Sequence, residues 1–167
     1  MREPTGALLT VWRYELAGLP LLRMVAERRH THAVRVVIDA NIFFDLDEEG
    51  TGHEESSGLV ADWLGDFVEL NLTDEILTEI NRRESEHERN YQRARAESFP
   101  RVPRDAAREE QILPIVRALL PVDSRPSTDS DARQLAMTIA AGVTFFVTRD
   151  GNILDVADEL YEKFDFR

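Results

Sequence analysis

Two acidic residues each follow an apolar run that is typical of a buried strand. Asp39 comes directly after the β-branched run Val34–Ile38, and Asp150 stands just past a second apolar run at 143–148. Such short, continuous runs predict strands buried on both faces of a parallel sheet. Because sites in open parallel sheets form outside the carboxyl ends of the strands, we expect both carboxylates at one rim of the sheet.

Two further acids lie in phase with the apolar stripes of predicted helices. Asp131 precedes Leu135 by four residues, and Glu79 follows Ile76 by three. Residues three or four apart share a helix face, so both carboxylates are expected near the core side. An acid on the solvated face would be out of phase with the apolar stripe. Glu75, one turn before Glu79, competes for its role.

Other interpretations of these two helical acids remain open. Asp129 lies two residues before Asp131 and can share or replace its role. Glu79 can instead form an exposed i,i+4 ion pair with Arg83, which would contribute only about 0.3–0.5 kcal/mol.

Four carboxylates at one rim define a particular chemistry. At an effective dielectric constant of 20, two like charges 4 Å apart cost about 4 kcal/mol, so the group needs protons or a cation. Oxygen-only ligands select hard ions, which indicates Mg²⁺ or Mn²⁺. Carboxylate-held ions that keep open water positions suit phosphodiester hydrolysis.

The elements that position these acids alternate along the chain. Strand and helix signals follow one another with no repeat and no linker from residue 34 onward, which predicts one α/β domain with a mostly parallel sheet and helices on both faces. Residues 1–33 are expected to form a helical extension that packs on this domain or on a second copy of the chain.

Several local expectations can be checked against the structure. We expect a solvated loop over 47–58, a helix capped by Thr73 that continues to about Ser98, and a kink or split at Pro114. We also expect a helix that opens at Asp131 and stops at Gly142, a last helix over 153–161, and a short edge strand over 164–166.

The composition limits the kinds of metal site and the cellular location that we expect. The 167 residues include no cysteine, which excludes disulfides and thiolate metal sites, and no apolar run reaches the ~20 residues of a membrane span. We therefore expect a cytoplasmic protein without a membrane partner.

The charge is unevenly distributed. The net charge is −12, yet the segment 81–108 holds eight arginines against five acids, a local charge of +3. One interpretation is that Arg82, Arg83, Arg89 and Arg93 guide a nucleic acid toward the acids. The other is a solvated helix whose arginines pair with neighbouring glutamates.

Taken in order, these segments resemble the PIN-domain family. The resemblance rests on Val-Val-Ile-Asp39-Ala-Asn41, Thr-Asp-Glu-Ile-Leu-Thr-Glu79-Ile, Asp131-Ala-Arg-Gln-Leu-Ala through Gly142, and Val-Thr148-Arg-Asp150. It covers about residues 34–166, and the segment between Glu79 and Asp131 looks longer than in compact members.

The resemblance implies a three-layer α/β/α sandwich, PIN-like and Rossmann-like, that acts as a metal-dependent endoribonuclease. By resemblance, the acidic quartet is Asp39, Glu79, Asp131 and Asp150, which hold Mg²⁺ or Mn²⁺. Asn41 and Thr148 match the family's polar neighbours of the quartet. Many members are toxins of toxin–antitoxin pairs, so an antitoxin protein is an expected partner, and a homodimer is a further expectation.

Two other functions compete with this one. A phosphoryl-transfer enzyme with an aspartyl nucleophile also places an acid after the first strand, but it usually has a second acid two residues later, where this chain has Asn41. A PIN-like module that binds RNA or protein with weak catalysis or none is the more serious alternative, although the presence of all four acids argues against it.

Overall fold

The computed structural model describes residues 33–46, 53–61, 64–65, 67–121 and 126–167. The helical extension expected over residues 1–33 lies outside this part of the chain, except for residue 33. The described residues form an α/β structure around a parallel sheet.

The sheet has the strand order β2-β1-β3, with β1 at Val34–Ile38, β2 at Val68–Asn71 and β3 at Phe145–Val147. Both pairings are parallel, and β1 lies between its two neighbours, with Val37 level with Asn71 and Ile38 level with Val147. The chain leaves β1 toward β2 on one side and returns to β3 on the other. The carboxyl ends of β1 and β3 therefore flank a topological switch point, where open α/β sheets bind ligands.

Each edge of this sheet is extended by a single backbone pair. Leu72 pairs with Arg101 in parallel beyond β2. Beyond β3, the Arg167 N–H donates to the Thr144 carbonyl, and the Arg167 carbonyl accepts from the Phe146 N–H, both at 2.7 Å. The edge strand expected over 164–166 does not form, because the preceding helix runs to Phe164. The residue that pairs beyond β3 is Arg167.

Helices connect the strands in the order that the sequence predicts. Their bounds are α1 Ala40–Asp45, α2 His53–Ser57, a 3-10 turn Gly58–Val60, α3 Glu75–Asn81, α4 Glu86–Ala96, α5 Ala106–Leu119, α6 Pro126–Ala140, α7 Gly151–Leu154 and α8 Ala157–Phe164.

The helices cover both faces of the sheet. On one face Val37 packs with α5, α6 and α8, in a core that includes Leu135 and Leu160. On the other face Ile38 packs with α1, α3 and α4, through residues such as Phe43 and Ile76. Since Val37 and Ile38 are adjacent in β1, they point to opposite faces, and one strand serves both cores. This arrangement is compatible with a three-layer sandwich.

Two expectations about the first half of the chain were wrong. Of the polar stretch expected as a loop, residues 47–52 lie outside the described part of the chain, and 53–57 form α2, in which Ser56 is fully buried and donates to Asp45 Oδ2 at 3.2 Å. Thr73 does not cap α3, which begins at Glu75 without a side-chain cap, and the buried Thr73 hydroxyl has no partner among the described atoms.

The helix breaks also differ from those expected. The chain breaks after α3 at 82–85, and Ser85 caps α4 by accepting from the Glu88 N–H. Pro114 lies inside an unbroken α5, on its exposed side, where water can bind the carbonyl that a proline leaves unpaired. The expected last helix is divided into α7 and α8. Helix α6 begins at Pro126, so Asp131 lies inside it, and Gly142 ends this segment with a left-handed φ of 70°.

Candidate active site

Asp39 lies at the centre of the candidate site, between the end of β1 and the start of α1. The residue is 3% exposed, and it caps α1 because Oδ1 accepts from the Ala40 N–H at 2.6 Å. Oδ2 accepts from the Thr148 hydroxyl at 2.6 Å and from Asn41 Nδ2 at 2.8 Å. Three donors therefore fix this carboxylate, and two of them are the polar neighbours that the sequence singled out.

Thr148 connects Asp39 to Asp150 at the end of β3. Its hydroxyl, which donates to Asp39, accepts from the Asp150 N–H at 2.9 Å and from Asn41 Nδ2 at 3.3 Å. Asp150 in turn caps α7, with Oδ1 accepting from the Asn152 N–H at 2.7 Å. The two strand-end acids thus lie at one rim, joined by a single hydroxyl.

Asp131 and Glu79 reach the same rim from helices on opposite faces of the sheet. The charges of Asp39, Asp150 and Glu79 all act on Asp131 and raise its pKa. Glu79 also acts on Asp39. The fold therefore brings Glu79 from α3 and Asp150 from the end of β3 within electrostatic reach of Asp39 and Asp131.

Burial, together with the neighbouring carboxylates, raises the pKa values of two of the acids. Burial raises the pKa of Asp39 to about 6, against the lowering effect of its hydrogen bonds from Thr148 and Ala40. The pKa of Asp131 rises to about 7, chiefly because of burial and then because of the three neighbouring carboxylates. Arg82 is the cation that partly offsets this rise. Such shifts are typical of a site that concentrates negative charge.

The structure separates Asp131 from its competitor Asp129. Asp129 ion-pairs with Arg117 and Arg133, the latter at 2.9 Å. Burial alone would raise the pKa of Asp129, but the hydrogen bond and charge of Arg117, with those of Arg133, lower it. Asp129 is therefore already neutralised, whereas Asp131 faces the other carboxylates.

Glu75 is likewise separated from Glu79. Glu75 is 5% exposed and accepts a hydrogen bond from the Ser130 hydroxyl at 2.8 Å. This bond joins α3 to α6 one residue before Asp131 and one helical turn before Glu79. Glu75 thus connects the two helices that supply acids, and the charge that acts on Asp39 and Asp131 is that of Glu79.

The four arginines proposed for substrate binding have different surroundings. Arg82 Nη1 lies 2.5 Å from Glu79 Oε1, so the partner of Glu79 is Arg82 and the expected pair with Arg83 is not seen. Arg83 stacks on the Phe44 ring, with its guanidinium carbon 4.1 Å from the centroid. Arg89 donates to the carbonyls of Arg83 and Glu84 at 2.7 and 2.8 Å.

Arg93 contacts the Asn81 side chain. Arg89 and Arg93 therefore brace the turn between α3 and α4, Arg83 packs on α1, and Arg82 is the one of the four whose charge acts on Asp131.

Sequence reasoning missed one contact at the rim. Arg149 Nη2 pairs with Asp45 Oδ2 at 2.5 Å, and the Arg149 N–H donates to Asn41 Oδ1 at 3.4 Å. This pair ties the loop after β3 to the end of α1. Its partners are far apart in the chain, so the only available signal was the position of Arg149 between Thr148 and Asp150.

The donor set of the quartet fits a hard divalent cation better than any other group. Its ligands are carboxylate oxygens, and the pKa values of Asp39 and Asp131 are raised by burial and, to a lesser extent, by the neighbouring carboxylates. Within the described residues, no three histidine, cysteine or carboxylate side chains are grouped closely enough to hold a metal as they stand. Metal binding would therefore require these side chains to move closer together, including that of Glu79, which pairs with Arg82.

Comparisons with known protein families, curated proteins and solved structures find no match to this chain. Among the helices of the described ranges, none has the length and apolar character needed to cross a membrane. The functional argument therefore depends on the site itself.

Proposed function

We propose that this protein is a metal-dependent endoribonuclease with a PIN-like fold, and that the acidic quartet is its active site. The observation that carries the proposal is the convergence of Asp39, Glu79, Asp131 and Asp150 at the switch point of a parallel sheet. Four separate segments supply these acids, which a chance surface cluster does not explain. Ion pairs in the described structure neutralise Asp129 but leave the quartet with excess negative charge.

The residues have distinct roles in this proposal. Asp39, Asp131 and Asp150 would hold Mg²⁺ or Mn²⁺, and Glu79 would complete the site directly or through a bound water. The cation supplies Lewis-acid stabilisation of the phosphate and lowers the pKa of the attacking water. Thr148 and Asn41 keep the Asp39 carboxylate in one orientation through hydrogen bonds of 2.6 and 2.8 Å.

The proposed hydrolysis determines which RNA ends are formed. A water oxygen forms a new bond to phosphorus, the bond from phosphorus to the 3′ oxygen breaks, and that oxygen takes up a proton. The RNA ends are then a 5′-phosphate and a 3′-hydroxyl. Attack by the ribose 2′-hydroxyl would instead leave a cyclic 2′,3′-phosphate and would need no metal-held water.

The test is cleavage of an internally labelled single-stranded RNA of mixed sequence, with Mn²⁺, with Mg²⁺ and with excess EDTA. Asp131→Asn should abolish cleavage, and Asp129→Asn, two residues away on the same helix, should retain it. Mass spectrometry identifies the ends. Cyclic phosphate products, or cleavage that survives EDTA, would refute the mechanism, and RNA binding without cleavage under any condition would favour the binding module. The toxin role and an antitoxin partner rest on the resemblance alone.

A further inference from the structure

Arg82 is held against the quartet by its position at the end of α3. Its backbone N–H donates to the Glu79 carbonyl at 3.1 Å, and its side chain returns to the Glu79 carboxylate at 2.5 Å. The side chain of Arg82 is 37% exposed and that of Glu79 is 16% exposed. The Arg82 side chain is therefore anchored at its base and is partly open to water.

The charge of Arg82 is felt beyond Glu79. It acts on Asp131, which α6 brings to the rim from the opposite face of the sheet. A cation that contacts one carboxylate of the quartet and acts electrostatically on another occupies the region where a divalent ion would bind. Two cations in such a space repel each other, since water screens a half-buried pair only in part.

We infer that Arg82 is the built-in counter-ion of the acidic quartet, and that a divalent cation must displace it from Glu79 in order to bind. This inference rests on the proposed function, because it assumes that the quartet holds a metal. Arg82 then has two opposing effects. It relieves repulsion among the acids in the metal-free protein, and it weakens metal binding by competing for the same carboxylate.

A simpler explanation assigns Arg82 only to the end of α3, where a cation interacts favourably with the helix dipole. The two explanations differ in sign for one measurable quantity. If Arg82 only stabilises the helix, its removal lowers the melting temperature and leaves metal affinity unchanged or weaker. If Arg82 competes with the metal, the same variant loses stability without metal but binds metal more tightly.

The experiment is a calorimetric titration of the full chain with Mn²⁺ in the absence of RNA. Arg82→Gln removes the charge, Arg82→Lys keeps it, and Arg93→Gln removes a charge that contacts Asn81 instead of an acid. A half-exposed ion pair that also acts on a second carboxylate corresponds to about a five- to tenfold tightening of Kd in Arg82→Gln. Arg82→Lys and Arg93→Gln should bind Mn²⁺ like the wild type.

A second measurement on the wild type avoids dependence on the folding of any variant. Phenylglyoxal modifies accessible arginines, and mass spectrometry locates the modified residue. Saturating Mn²⁺ should speed modification of Arg82 severalfold and leave that of Arg93 unchanged.

The outcomes separate the two proposals. If the wild type binds Mn²⁺ but Arg82→Gln binds it equally or more weakly, or if Mn²⁺ does not change Arg82 modification, the counter-ion role is wrong and the quartet can still be a metal site. If the wild type does not bind Mn²⁺ at all, the proposed function itself is refuted.

Discussion

Replacing Asp131 by asparagine should stabilise the metal-free protein, although it removes a residue of the proposed active site. Asp131 lies among three carboxylates, and its pKa rises from the ordinary aspartate value of 3.8 to about 7. At pH 8 the folded protein therefore holds an ionised group that its surroundings disfavour. Asparagine has nearly the same shape and no charge, so it removes both the cost of burying the charge and the repulsion.

The size of the effect follows from the pKa shift. A rise of about three units corresponds to roughly 4 kcal/mol as an upper limit at 1.36 kcal/mol per unit. Asp131 is only half-buried, so solvent screens much of this, and we expect a gain of about 1–2 kcal/mol in the free energy of unfolding. For a domain of this size, that gain corresponds to a melting temperature higher by about 2–8 °C.

Asp129 provides a matched control on the same helix. Its carboxylate pairs with Arg117 and Arg133, so Asp129→Asn should lower the free energy of unfolding by up to about 1 kcal/mol. Thermal unfolding is measured at pH 8 in EDTA, followed by circular dichroism, and repeated with Mn²⁺. Asp131→Asn should also lose most of the Mn²⁺-induced rise that the wild type shows. A metal-free Asp131→Asn protein that melts below the wild type would refute the idea that the acids repel one another.

Four other predictions concern the same contacts. Thr148→Val should lower the free energy of unfolding by about 2–3 kcal/mol, because it removes the hydroxyl between Asp39 and Asp150, whereas Thr148→Ser should retain most of it in chemical denaturation. Asp39→Asn should melt below Asp131→Asn in EDTA, since a single amide oxygen cannot accept from the three donors that bind the Asp39 carboxylate. Because the native pKa values of Asp39 and Asp131 are raised to about 6 and 7, the native state binds more protons than the unfolded chain, and metal-free stability should fall as the pH rises from about 4 to about 8. Mn²⁺ affinity, measured by titration, should rise over the same pH range because the metal competes with those protons.

The sequence predicted the strand-end acids because short apolar runs define where parallel strands end. The pattern therefore predicted where Asp39 and Asp150 lie in the fold as well as their possible chemistry. Asp131 was assigned to the correct face although the start of its helix was misplaced by five residues. Helical phase depends on spacing within the helix and not on where the helix begins.

Contacts between distant segments were not predictable in the same way. Helix α2 lacks apolar periodicity, so no pattern in the sequence indicated that Ser56 is fully buried. Counting charges indicated a basic segment but not that Arg89 binds two carbonyls and Arg83 stacks on Phe44, because both contacts depend on the turn after α3. The inward position of Arg82 likewise follows from where α3 ends.

The Thr148 hydroxyl bond to Asp39 joins residues 109 positions apart in the chain. Closing so long a loop is entropically costly, and such contacts slow folding when they must form early. Since the acids repel one another only once β1 and β3 have paired, we expect the quartet to assemble after the main folding barrier. A cation that binds the finished site would then leave the folding rate nearly unchanged and slow unfolding. The metal-bound protein would gain stability from a longer-lived folded state and not from faster folding.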